Sequence, residues 1–126
     1  MVPTDLRYTS DHEWVRMEGA EATIGITAYA ADQLGDIVFV ELPEVGRTIE
    51  QFAPFGVVES VKAVSDLFAP LSGEAIEANA DLGAKPELVN GDPYGAGWMI
   101  RIRVSDPGQL DGLLDPEAYD ALIAAG

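Results

Sequence analysis

Residues 57–74 read Val57-Val58-Glu59-Ser60-Val61-Lys62-Ala63-Val64-Ser65-Asp66-Leu67-Phe68-Ala69-Pro70-Leu71-Ser72-Gly73-Glu74. Two apolar, strand-like runs, Phe55 to Ser60 and Val64 to Ala69, flank the short centre Val61-Lys62-Ala63. That pattern predicts a β-hairpin with a lysine at its tip. Such a lysine keeps its ammonium in water while its stem is held by two paired strands, so position is fixed and access is open. This geometry suits enzymatic acylation. The turn lacks the Asn-Gly or Gly-Gly pair that usually makes tight hairpins, so something other than turn stability selected Val61-Lys62. The chain holds only two lysines, and the other, Lys85, precedes Pro86 in a loop-like stretch. An amine-directed enzyme therefore finds almost no competing target, although a turn lysine by itself is ordinarily only a solvated charge.

Outward from the hairpin the same β-rich texture continues. Strands are expected at Glu13 to Met17, Ala22 to Ile26, Ile37 to Leu42, Glu74 to Ala78 and Trp98 to Val104. Gly19, Pro43 with Gly46, Pro70 with Gly73, and Asn90-Gly91-Asp92-Pro93 supply the breaks. The spacing suggests a small sandwich or barrel. One internal helix fits Ala28 to Leu34, capped by Thr27 and ended by Gly35 in the left-handed conformation. Beyond Pro107, Leu110, Leu113 and Leu114, then Tyr119, Leu122 and Ile123, recur at helical spacing. This C-terminal helical segment, about 107–126, is expected to pack across the sheets as a cover. A weak internal echo sets Gly46, Phe55-Gly56 and Val57-Val58 against Gly91, Tyr94-Gly95 and Met99-Ile100, as two similar half-sandwiches would.

At 126 residues with 48% hydrophobic composition, the chain is read as one domain over 1–126 with a single packed core. It has no cysteine, so disulfides and thiolate metal sites are excluded and any redox chemistry must be imported. Seven basic against 22 acidic residues give a formal charge of −15. That balance opposes binding to nucleic acid or anionic membranes. It suits either steering toward basic protein surfaces or plain solubility. Met1 to Asp11 contains no apolar signal core or transit-peptide pattern, and no run approaches membrane-spanning length, so a cytoplasmic protein is expected.

The run Glu59-Ser60-Val61-Lys62-Ala63, followed by Ser65-Asp66 and Ala69-Pro70-Leu71-Ser72-Gly73-Glu74, resembles the lipoyl-lysine hairpin of lipoyl carrier domains. With Glu-Ser-Val-Lys-Ala at its centre it is similar to the glycine cleavage system H-protein family. His12-Glu13-Trp14-Val15, Thr23-Ile24-Gly25-Ile26-Thr27, Leu34-Gly35-Asp36, Val40-Glu41-Leu42-Pro43 and Pro93-Tyr94-Gly95 through Gly97-Trp98-Met99 resemble the same family in order. Several independent blocks in sequence are far more specific than one lysine motif. Biotin carriers typically place methionines beside the modified lysine, where this chain has Val61 and Ala63. Lipoyl domains of 2-oxo acid dehydrogenases are typically shorter and tethered by flexible linkers, which are not seen here.

The resemblance implies a mainly β, lipoyl/biotinyl-type sandwich, or barrel-sandwich hybrid, that carries lipoate in amide linkage on Lys62. It implies a carrier and no enzyme. In the family's cycle a pyridoxal-phosphate glycine decarboxylase loads an aminomethyl group onto a lipoyl sulfur. An aminomethyltransferase passes the carbon to tetrahydrofolate, and the FAD enzyme dihydrolipoamide dehydrogenase restores the disulfide. A lipoate-attaching enzyme is a further implied partner. The resemblance also points to a cleft that shelters the loaded arm, with Asp11, His12, Glu13 and Asp66 as candidates. Glu13 and Asp66 match the family pattern; Asp11 stands where serine can occur and Gln33 where histidine can. The alternatives are a lipoate relay to other complexes, a small acidic hydrolase using a carboxylate pair, and a plain interaction module. His12 is the sole histidine, so no multi-histidine metal site or histidine–cysteine relay can be assembled, and it reads as a half-buried structural residue beside Trp14.

Overall fold

The structure, a computed structural model, describes residues 2–125. Met1 and Gly126, the outer ends of the domain expected over 1–126, lie outside the described residues. Nine strands form two sheets that face each other without closing into a barrel. The strands are β1 (Arg7–Tyr8), β2 (Glu13–Glu18), β3 (Glu21–Ile26), β4 (Ile37–Glu41), β5 (Thr48–Ile49), β6 (Pro54–Ser60), β7 (Val64–Phe68), β8 (Gly73–Ala78) and β9 (Ile100–Val104). The larger sheet runs β1-β2-β3-β9-β8-β5, and the smaller runs β4-β6-β7, with antiparallel neighbours throughout.

Alternation along the strands places one set of side chains between the sheets. Ile24, Ile100 and Ile102 from the larger sheet meet Val58 and Leu67 from the smaller in one core cluster. A second cluster of Leu6, Tyr8, Trp14 and Tyr119 seals one end of the larger sheet. Gly25 is needed there, because a Cβ at that position would come within 2.8 Å of the Trp14 indole lying against it.

All seven expected strands and the internal helix α1 (Ala28–Leu34) are present. Thr27 caps α1 by accepting from the Ala30 N–H. Gly35 ends it with φ 84 and ψ −161, which lies outside the left-handed helical region and is open essentially to glycine alone. β1 and β5 are too short to carry an alternation that sequence reading could detect. Two short helices, α2 (Asp81–Ala84) and α3 (Leu88–Gly91), arise where no element was expected. Asn90-Gly91, expected as a break, is the end of α3, and only Asp92-Pro93 breaks the chain.

The expected internal echo is not realised: Phe55 to Val58 lie on β6, whereas Gly91 ends a helix and Tyr94-Gly95 sit in turns. The C-terminal segment forms a 3-10 helix over Pro107–Gly112 and α4 (Pro116–Ala125). α4 does not cover both sheets. It packs on β1 at one end of the larger sheet, where Tyr119 stacks on Tyr8 at 4.5 Å, because only Tyr119 of its apolar stripe is fully buried.

Candidate carrier site

The hairpin joins β6 to β7, with Glu59 opposite Val64 as the last ladder pair and Ser60 N–H donating to the Ala63 carbonyl at 2.8 Å. No glycine supports the turn. Ser60 does so instead, its Oγ accepting from the Ala63 N–H at 3.0 Å and the Lys62 N–H at 3.3 Å. The turn is also tied to the rest of the molecule, since Val61 N–H donates to the Asp36 carbonyl at 3.0 Å. The Lys62 stem lies over Gly35, where an added Cβ would stand 3.5 Å from Lys62 Cε.

Val61, Lys62 and Ala63 are exposed, and Glu59 and Ser60 are half-buried. Among the described residues the ion pairs are Arg101–Glu77 and Arg103–Glu74, both between β8 and β9, and neither involves Lys62. Its amine is thus held by the stem and left open at the tip. Lys85 is exposed too, at the end of α2, so exposure alone does not separate the two lysines. The two-stranded frame does.

The outer face of the smaller sheet runs up to this tip. Phe39, Glu59 and Val64 stand in one cross-strand row and Glu41, Val57 and Asp66 in the next, while Val40, Val58 and Leu67 point inward and are buried. A bulge between Ile37 and Phe39 leaves both Val38 and Phe39 exposed.

Glu13 and Asp66, paired as cleft candidates, have opposite environments. Glu13 is only 2% exposed: the Thr9 hydroxyl donates to Oε1 at 2.6 Å and the Phe68 N–H approaches Oε2 at 3.4 Å. Burial pushes its carboxyl up to about 8, against the opposing pull of those hydrogen bonds. Asp66 is exposed on β7, in the outer row beside Glu41 and two residues before Phe68. Asp11 and Gln33 are both exposed.

Three segments nevertheless meet here. Glu13 touches β7 at Phe68, and the His12 ring lies 4.9 Å from that of Tyr29, which shares a face of α1 with Gln33 four residues on. His12, at φ 72, is half-buried as expected, but its bonding partner is Tyr119 and not Trp14. The Tyr119 hydroxyl bridges His12 Nδ1 at 2.9 Å and the Thr27 hydroxyl at 2.7 Å. Burial lowers the His12 pKa and raises that of Tyr119 to about 12, so both are neutral near pH 7. Tyr29, Tyr119 and Asn90 frame the site without any motif of their own in the sequence.

A lysine framed on a hairpin of an open two-sheet sandwich is the build of a lipoyl-type carrier, a protein acted upon by enzymes. The model of the glycine cleavage H-protein family matches residues 6–125, and the chain belongs to that family, whose members are carriers and not enzymes. It is 57% identical over 125 residues to the glycine cleavage system H protein of Symbiobacterium thermophilum, covering 99% of this chain and 98% of that one. To the H protein of Magnetococcus marinus it is 60% identical over 122 residues, covering 97% and 87%. The crystal structure of a glycine cleavage system H protein from Mycobacterium marinum superposes with a TM-score of 0.90 at 40% identity, covering 98% of this chain and 99% of that one. The acidic-hydrolase alternative falls with this membership.

Proposed function

We propose that the whole chain is one carrier domain of the glycine cleavage system and that Lys62 carries lipoate in amide linkage. The observation that carries this reading is the exposed Lys62, without an ion pair among the described residues, on a turn secured by Ser60 and Asp36. The residues present fit the group: the hairpin offers a free amine, and the chain, having no cysteine, has no thiol of its own. When bound, lipoate supplies the dithiol–disulfide couple.

The chain's own residues do the rest. β6 and β7 set the position of the amine, and the Gly35 surface supports its stem. The flank made by Asp11–Glu13, the Tyr29/Gln33 face of α1 and Asp66–Phe68 is where an arm from Lys62 shelters. Its implied partners are glycine decarboxylase, the tetrahydrofolate-dependent aminomethyltransferase, dihydrolipoamide dehydrogenase and a lipoate-attaching enzyme. The formal charge of −15 favours basic docking surfaces on them. None of the described helices is long and apolar enough to cross a membrane, and we place the carrier in the cytoplasm with its partners.

Expression in lipoate-fed cells followed by intact-mass measurement and peptide mapping tests the assignment. One lipoyl group on the Lys62 peptide is expected. A lipoyl group on Lys85, or an unmodified chain in the presence of an active attaching enzyme, overturns it.

A further inference from the structure

The carbonyl that holds the lysine turn belongs to Asp36, in the two-residue connection between α1 and β4, a segment with no strand partner of its own. Both peptide groups flanking Asp36 are bound by a single side chain from elsewhere in the chain. Asn90 Nδ2 donates to the Gly35 carbonyl at 2.9 Å, with a longer approach to the Ala31 carbonyl at 3.5 Å, and Asn90 Oδ1 accepts from the Ile37 N–H at 2.9 Å. One carboxamide therefore grips the backbone just before and just after the residue that grips Val61. Asparagine suits this place because it offers a donor and an acceptor on one planar group. Gly35, held on one side by Asn90, is also the surface under the Lys62 stem.

We propose that Asn90 is a positioning residue for Lys62, acting through Gly35, Asp36 and Ile37 to hold the lysine turn in the form that the attaching enzyme accepts. The proposal rests on the reading of Lys62 as the attachment site. Asn90 lies 28 positions from Lys62 in the chain, and neither its side chain nor α3 touches the amine through any hydrogen bond. Its effect is on where the turn sits. Loss of the grip frees the Asp36 carbonyl to move, and with it the Val61 N–H and the floor beneath the lysine stem.

The test compares Asn90→Ala and Asn90→Asp with the parent chain, Asp keeping the acceptor for Ile37 and losing the donor to Gly35. Amide hydrogen exchange is read residue by residue, and lipoate attachment is timed with a lipoate-attaching enzyme, lipoate and ATP. In both variants the Val61 amide should exchange faster while the amides of β3 and β9 keep their protection. The kcat/KM of attachment should fall about fivefold or more in Asn90→Ala, the change expected when a hydrogen bond worth about 1 kcal/mol no longer orients the target. Acetylation of Lys62 by a small acylating reagent should proceed at the parent rate, since the amine's exposure is unchanged. Parent-like Val61 exchange in a folded variant, or parent-like attachment by the enzyme, overturns the proposal. If Asn90→Ala does not fold, Asn90→Asp supplies both readings. Peptide mapping of the parent keeps the two ideas apart: label on Lys85 defeats the attachment reading, whereas slow Val61 exchange in the variants defeats the Asn90 bracket alone.

Discussion

The two ends of helix α1 meet the rest of the molecule in different ways. At its start, Thr27 is held by Tyr119, and Tyr119 belongs to an aromatic cluster in which Leu6, Tyr8, Trp14 and Tyr119 are all at 0% exposure. At its end, Gly35 and Asp36 support a turn in which Val61 is 69% exposed and Lys62 carries no ion pair among those described. The first end is secured by buried area and the second by a few backbone hydrogen bonds. The proposed attachment at Lys62 demands this division: the amine must be reached by an enzyme, so the turn cannot be buried, and its order must come from directional bonds to a rigid neighbour.

Five substitutions or conditions break or sharpen that contrast. The largest expected effect is at the open end, where Lys62→Arg should abolish lipoate attachment, read by intact mass, and change stability by no more than about 0.5 kcal/mol. At the closed end the reverse should hold. Tyr119→Ala should cost about 3–5 kcal/mol in urea unfolding, as other aromatic truncations in cores do, while a folded population still accepts lipoate at Lys62. Tyr119→Phe keeps the ring and leaves His12 and Thr27 without their partner, for a loss of about 1–2 kcal/mol.

Glu13, opposite Ile26 on the strand that precedes α1, adds a pH dependence. Its carboxyl is raised in the folded chain from 4.5 to about 8 by burial, so the folded state holds this proton more tightly than the unfolded state does. Its contribution to stability is therefore complete below about pH 4.5 and is lost as pH rises toward about 8. Glu13→Gln, which stays neutral, should match the parent chain at pH 4 and exceed it at pH 8 by a margin of the order of a few kcal/mol, read as urea midpoints across pH. A parent and variant that track each other across this range would place the Glu13 carboxylate in a wetter setting. The smallest effect concerns docking: raising salt from about 50 to 200 mM should weaken apparent affinity for glycine decarboxylase a few-fold, whereas salt-independent kinetics would leave the acidic surface a solubility feature alone.

Much of this was legible along the chain because it depends on neighbours in sequence. Short β-rich runs bounded by turn residues set seven strands, Thr27 and Gly35 marked the ends of α1, and the hairpin around Lys62 followed from the two runs beside it. Local patterns of this kind are dictated by backbone sterics and by the need to bury one face. β1 and β5, two residues each, exist only because a partner strand is present to complete their hydrogen bonds, and no local signal announces them.

The setting of the candidate carboxylates lay beyond sequence altogether. Glu13 and Asp66 look alike as letters, yet one is sealed under Thr9 and Phe68 and the other stands in water, a difference set by which strand faces cross the core. The same holds for Asn90 and Tyr119, ordinary residues in a short helix and in a helical stripe until the fold carries them to opposite ends of α1. By itself the sequence determined a β-rich chain with one lysine framed on a hairpin, because a hairpin and its flanking apolar runs are encoded within twenty residues or so of one another, while the carrier role was legible only through the resemblance of several ordered blocks to the H-protein family. Only the tertiary structure decided which bonds hold the lysine turn and which carboxyl is buried. Hydrogen bonds and desolvation between residues 53 to 107 positions apart depend on packing and have no local pattern to reveal them.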